Sequence, residues 1–361
     1  MDYNAYMKEK MSKMLFIEID IKKLLSQITS EEVTLENNDI YFPIKFDKVS
    51  ENVQSKTSVG NLSLSWIVEG MFLTLGIDDN FKYNNDYLKV LNIIRDSEKI
   101  VKSIIAENVK KKEYVEAFSL LKGLVALNNS EEYYDKLLSV GEKLTELDKN
   151  FAEQQLLVVE LAKKDYLNSA MPYYYEALAL YSLEKNSEAY VALNEYVNKG
   201  GEKTSQVTTL LNILKEDIDY KKGVELLDEE PELALKKLLP ILEKNSEDAI
   251  LNFYIALAYR KLENYEKAIY YLNQSIAIDS SIAEVVNEMG INYACLGEYE
   301  NAIKYLRKAF EATRDVEVCT NIVICYNNMG DVENAKLHLQ IAEKLNKDDE
   351  IVKQLKEILY K

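Results

Sequence analysis

Breakers of regular structure are scarce, with four prolines and eleven glycines in 361 residues. Both residue types interrupt helices, so their rarity favours long helices joined by short connections. His338 is the only histidine, which excludes any triad, acid–base pair or metal cluster that needs two. Cys295, Cys319 and Cys325 make an odd number without the paired spacing of a zinc site or redox motif, and they fit a reducing compartment. No Gly-rich phosphate loop occurs. No apolar run approaches the roughly 20 residues of a membrane span. The best attempt, Trp66 to Ile77, is too short and carries Glu69. Met1-Asp2-Tyr3-Asn4 lacks a basic stretch leading into an apolar core, so no signal peptide is expected and the location expected is cytoplasmic. Runs of Lys or Arg are also missing, and the net charge is −17. Phosphate backbones and anionic headgroups would repel such a chain, so neither nucleic acid nor membrane is expected as a partner.

What remains is a helix-forming composition. Hydrophobic residues make up 47% and charged residues 29%, the balance of an ordered soluble protein and not of a disordered one. Leu, Lys, Glu, Ala and Ile carry much of the chain, and all but Ile rank high in helix propensity. Tyr is abundant, with 26 copies against one Trp. Tyr can fill space between helices while its hydroxyl stays near water, so packing is the first reading.

The chain repeats itself. Ala268-Ile269-Tyr270-Tyr271-Leu272 and Ala302-Ile303-Lys304-Tyr305-Leu306 stand 34 residues apart, and the turns before them, Leu262 to Glu266 and Leu296 to Glu300, align as well. Ala256 falls opposite Gly290, and Tyr259 opposite Tyr293. A further copy runs through Tyr326, Gly330 and Ala335, and an earlier one places Ala234 another 34 residues upstream of Ala268. Each copy reads as two helices, with a small residue where the backbones must approach. Ala256 and Gly290 supply it in the first helix (the third copy has Val323), and Ala234, Ala268, Ala302 and Ala335 supply it in the second. Four residues on, Leu238, Leu272, Leu306 and Leu339 plug the space between units.

This pattern resembles the tetratricopeptide repeat, clearly over about 215–361 and more weakly over 96–214. The family's frequent Trp is replaced by Asn252, Val286 and Cys319, and its closing proline by Ser280 and Arg314. Weaker copies around Ala117, Ala152 and Ala189 extend the series. The step from Ala189 to Ala234 is longer than the others and holds Gly200-Gly201 and then a periodic run, Val207 to Leu227. An extended or extra helix is expected there. The resemblance implies an all-α, right-handed superhelix over 96–361, of about seven helix pairs closed by a capping helix from Asp348 to Lys361.

Residues 1–95 resemble no family and form a less regular N-terminal region. Residues 5–28 read as helical, with Met7, Met11, Met14, Ile17, Ile21 and Leu24 along one side. Residues 30–62 read as loop, except that Ile40, Phe42, Ile44 and Phe46 alternate as a strand does, and Pro43 confines it to an edge. Leu62 to Gly76 and Asn84 to Val109 read as helical.

No catalytic, cofactor or metal site is expected. His338, Cys319 and Cys325 read as packed helix residues. Acidic groups such as Asp228-Glu229-Glu230 sit at helix ends, where solvation and the helix dipole account for them. In the family the first helices line a concave face, and the residue after the small one points into it: Leu178, Leu257, Ile291 and Ile324. The expected partner-binding residues are Phe253, Tyr254, Leu257, Arg260, Lys261, Asn287, Glu288, Ile291, Asn321, Ile324 and Asn328. Apolar anchors would sit on the floor, and Arg260 and Lys261 would select an acidic flank. The family's carboxylate clamp is absent, since Phe253, Leu257, Glu288, Glu317 and Asn321 occupy its positions. Covering of the floor by the chain's own Tyr41-Phe42-Pro43-Ile44 is the competing idea. The function implied is a non-catalytic cytoplasmic scaffold for proteins or peptides with apolar anchors. The alternative is a peptide- or signal-sensing regulator.

Overall fold

The computed structural model describes residues 3–19, 34–37, 39–49 and 63–360. It forms two compact units, Met1–Leu214 and Lys215–Lys361. The expected boundary near residue 95 falls inside the first.

The first unit opens with α1 (Tyr3–Ser12) and two antiparallel strands, β1 (Met14–Glu18) and β2 (Tyr41–Lys45), in register from Met14↔Lys45 to Glu18↔Tyr41. The helix expected over 5–28 therefore ends at Ser12, and residues 20–28 lie outside the described residues. Met14-Leu15-Phe16-Ile17 is a short apolar run, which suits a strand as well as a helix, and its pairing with β2 decides. Phe46 N donates to Lys13 O at 3.2 Å. Hydrogen-bonded pairs alternate along an antiparallel ladder, so Leu15↔Ile44 and Ile17↔Phe42 bond across while Pro43, opposite Phe16, needs no N–H toward β1.

Next come α2 (Leu64–Ile77), α3 (Asn84–Ile93) and α4 (Ser97–Lys110), so the helix expected over 84–109 breaks at 94–96. α2 is buried from Ile67 to Gly76, between β2 and α5 (Tyr114–Leu127). Glycine permits both contacts. A Cβ on Gly70 would lie 1.8 Å from Pro43 O, one on Gly76 1.8 Å from Ser119 O, and one on Gly123 2.1 Å from Phe72 O. A partly buried ionic cluster ties these elements together. Lys45 of β2 meets Glu69 of α2 at 3.1 Å and also pairs with Glu116 of α5, which Lys10 of α1 approaches at 3.3 Å. Then follow α6 (Glu131–Leu147), α7 (Ala152–Asp165), α8 (Met171–Ser182) and α9 (Asn186–Asn198). The division between units falls within α10 (Ser205–Glu225), the extended helix anticipated from the repeat spacing.

The second unit continues with α11 (Pro231–Lys244), α12 (Ala249–Lys261), α13 (Tyr265–Ile278), α14 (Ala283–Cys295), α15 (Tyr299–Thr313), α16 (Val316–Asn328), α17 (Val332–Leu345) and α18 (Glu350–Leu359). Apart from the two-stranded ribbon, the described residues are all-α. The alanines Ala117, Ala152, Ala189, Ala234, Ala268, Ala302 and Ala335 each lie in a second helix and are completely buried. Leu238, Leu272, Leu306 and Leu339 are completely buried too.

The turn inside the repeat is equally regular. Lys112, Glu184, Glu263, Gly297 and Gly330, each five residues before one of these alanines, have positive φ between 57° and 79°. In each turn the next residue's N–H reaches back five positions: Glu113 to Asn108 O, Lys185 to Leu180 O, Asn264 to Tyr259 O, Glu298 to Tyr293 O and Asp331 to Tyr326 O, at 2.8–3.0 Å. This is the Schellman closure, which satisfies the helix's last carbonyls and needs one left-handed residue.

Candidate functional site: the first-helix face of the second unit

α12, α14 and α16 are the first helices of successive pairs, and each approaches the next. One side of each packs on its own second helix. Ala256 and Val323 are buried there, and a Cβ on Gly290 would come within 2.5 Å of Leu306 Cγ. Aromatic rings close the same contact. Tyr259 stacks on Tyr271 (centroids 5.4 Å, planes 7° apart) and Tyr293 on Tyr305 (5.5 Å, 12°). In the third pair Tyr326 faces His338 at 5.1 Å, so the only histidine stands where the preceding pairs have tyrosine. Its Nδ1 lies 2.9 Å from Asn334 O, and the residue is buried. Cys319 and Cys325 are buried as well, and burial pushes both thiols up to about 11.

Leu257, Ile291 and Ile324 are half-buried, one on each first helix, and Leu178 is half-buried on α8 of the first unit. Each of the three packs beside an apolar core while keeping part of its surface open. Phe253 and Tyr254 are half-buried with ring centroids 5.7 Å apart, and Tyr254 also meets Tyr220. Asn321 is half-buried and Asn328 exposed.

The two cations on this face have carboxylate partners. Arg260 Nε lies 2.7 Å from Glu288 Oε2, and Lys261 Nζ lies 2.6 Å from Asp228 Oδ1. Glu288 is only 9% exposed. Burial raises its carboxyl above the usual range although Arg260 pulls it back, and the charge of Glu317 raises it further. Asn287 Oδ1 and Asn292 Oδ1 are buried without a hydrogen-bond partner, as are Arg260 Nε and Glu288 Oε2, whose contact is an ion pair without hydrogen-bond geometry. Asn292, which sequence reading missed, uses its amide nitrogen on Glu288 O at 2.8 Å. Its place right after Ile291 was visible, but whether it faced core or solvent was not.

Tyr41-Phe42-Pro43-Ile44 does not cover this floor. The stretch is β2, with Phe42 and Ile44 completely buried in the core of the first unit and the Tyr87 hydroxyl donating to Tyr41 O. Self-occupancy by that segment is overturned.

A sequence model of the tetratricopeptide repeat matches residues 251–282 and 283–315, the pairs α12–α13 and α14–α15. These two helix pairs are tetratricopeptide repeats. Solved structures similar in part to this repeat protein include MamA from AMB-1, at 19% identity and a TM-score of 0.37 over 41% of this chain and 81% of that one. A tetratricopeptide repeat protein from Parabacteroides merdae aligns at 14% identity and 0.35 over 73% and 98%. PilF of Pseudomonas aeruginosa aligns at 15% and 0.35 over 63% and 98%. No curated protein matches the sequence. Arrays of this repeat serve as protein-interaction scaffolds, each unit resting on its neighbours and together presenting an extended surface. Among the described residues no helix is long and apolar enough to cross a membrane.

Proposed function

We propose that this tetratricopeptide repeat protein is a non-catalytic cytoplasmic scaffold that captures a protein or peptide segment on the first-helix face of α12, α14 and α16. The supporting observation is the strip Leu257–Ile291–Ile324, apolar and partly open on three successive first helices. Half-open apolar side chains in register form the anchor sites that supply most binding energy at such surfaces, while neighbouring polar groups fix orientation. Phe253 and Tyr254 extend the strip at one end, and Asn321 and Asn328 supply amides at the other.

Ile291→Asp tests the reading. The full-length chain and the variant are compared for capture of partners from cell lysate, with circular-dichroism melting of both. Loss of capture with an unchanged melt supports the face as the binding surface. Undiminished capture by a folded variant removes it, and lost capture with a collapsed melt makes Ile291 core.

A further inference from the structure

The polar groups around the strip point to one class of ligand. Helical spacing places Glu284, Asn287 and Ile291 on one stripe of α14, and Glu317, Asn321, Ile324 and Asn328 on one stripe of α16. Glu284 and Glu317 are exposed and form no ion pair with another described residue. They occupy the same place in successive repeats. Their first-turn position explains why the helices tolerate them, but the stripe they share with Ile291 and Ile324 brings their charge to the binding face. The charge of Glu317 on α16 also raises the carboxyl of Glu288 on α14, in keeping with an acidic side to this face.

The cations offer nothing in compensation, because Arg260 is held by Glu288 and Lys261 by Asp228. The expectation that these two select an acidic flank therefore loses its basis. Unmet hydrogen-bonding capacity here is mixed: Asn287 Oδ1 is a buried acceptor without a donor, and Arg260 Nε, though 2.7 Å from Glu288 Oε2, makes no hydrogen bond with it. A ligand with positive charge beside apolar side chains complements the two exposed carboxylates and the apolar strip.

We infer that the segment bound on this face is basic and amphipathic: apolar side chains rest on Leu257, Ile291 and Ile324, and Lys or Arg side chains reach Glu284 and Glu317. This rests on the scaffold reading above and names the chemistry of its partner. The chain's net charge of −17 adds a long-range attraction of the same sign, which favours encounter with basic segments.

The test uses the full-length chain and two fluorescein-labelled peptides. Both carry leucines at helical spacing, one filled in with lysines and the other with glutamates, and binding is followed by fluorescence anisotropy. The lysine peptide is expected to bind about five- to ten-fold more tightly at low salt, with the gap closing as salt rises. Glu284→Lys/Glu317→Lys, at two exposed positions, should erase or reverse that preference while Ile291→Asp weakens both peptides. Equal or tighter binding of the glutamate peptide overturns the inference, as does a preference untouched by the double reversal. If Ile291→Asp leaves lysine-peptide binding unchanged, the face itself is wrong and the scaffold reading falls with it. If Ile291→Asp abolishes binding of both peptides but no charge preference exists, only the inference fails.

Discussion

Of the five repeat turns closed by a left-handed residue, three use a non-glycine, Lys112, Glu184 and Glu263, and two use Gly297 and Gly330. A side chain there crowds its own carbonyl and costs on the order of 1 kcal/mol, which glycine avoids. We expect Glu263→Gly to raise stability by about 0.5–1 kcal/mol, reduced by the extra freedom glycine has in the unfolded chain. Gly330→Ala, the mirror experiment, should lower it by a similar amount. Urea titrations of both variants check the pair, and a shift of the same sign in both would show that backbone strain does not govern these turns.

At the scale of elements, α2 was expected as a helix, but its close packing was not evident from sequence. Glycine is ordinarily read as an interruption, yet Gly70, Gly76 and Gly123 are where helix and strand backbones touch. Gly70→Ala sets a methyl against Pro43 O, a backbone atom that cannot swing aside. The change should cost about 3 kcal/mol or more, read as a large fall in melting temperature. The charge cluster beside it also has a pH signature. Burial pushes Glu116 up, but Lys45 and Lys10 together outweigh it, so the carboxyl sits below its ordinary value in the folded chain. Its contribution is present above the unfolded value of about 4.3 and is lost as pH falls through the depressed folded one. Lys45→Met should destabilise the chain by about 3 kcal/mol near neutrality by leaving the buried Glu69 without a cation and Glu116 with Lys10 alone. That penalty should shrink on acidification, as Glu116 takes up a proton. A pH-independent difference between the two melting curves would count against the pairing. The repeats were legible because small and large residues recur at a fixed period and each marks a backbone contact. β1 was not, since four apolar residues carry no period of their own. The partners of Arg260 and Lys261 were hidden for a different reason: Glu288 and Asp228 approach them only after the helices pack.

For the whole molecule, neighbour-only packing means that damage should stay local. Ala302 is completely buried in α15 against α14, where Gly290 leaves no spare room. Ala302→Leu should overpack that contact and cost about 1–3 kcal/mol. Hydrogen exchange should then show lost protection over α14 to α17, while α5 to α7 exchange as before. Uniform loss along the chain would mean that the array unfolds as one cooperative block. The chain also carries its own reporter for following such an experiment. Trp66, the only tryptophan, lies in α2 beside the core of the first unit. Emission excited at the red edge of the absorption band, where tyrosine is transparent, comes from that unit alone. The second unit, rich in stacked tyrosines and without a tryptophan, is silent in that channel, so a difference between tryptophan emission and total helicity during unfolding measures the second unit without any label.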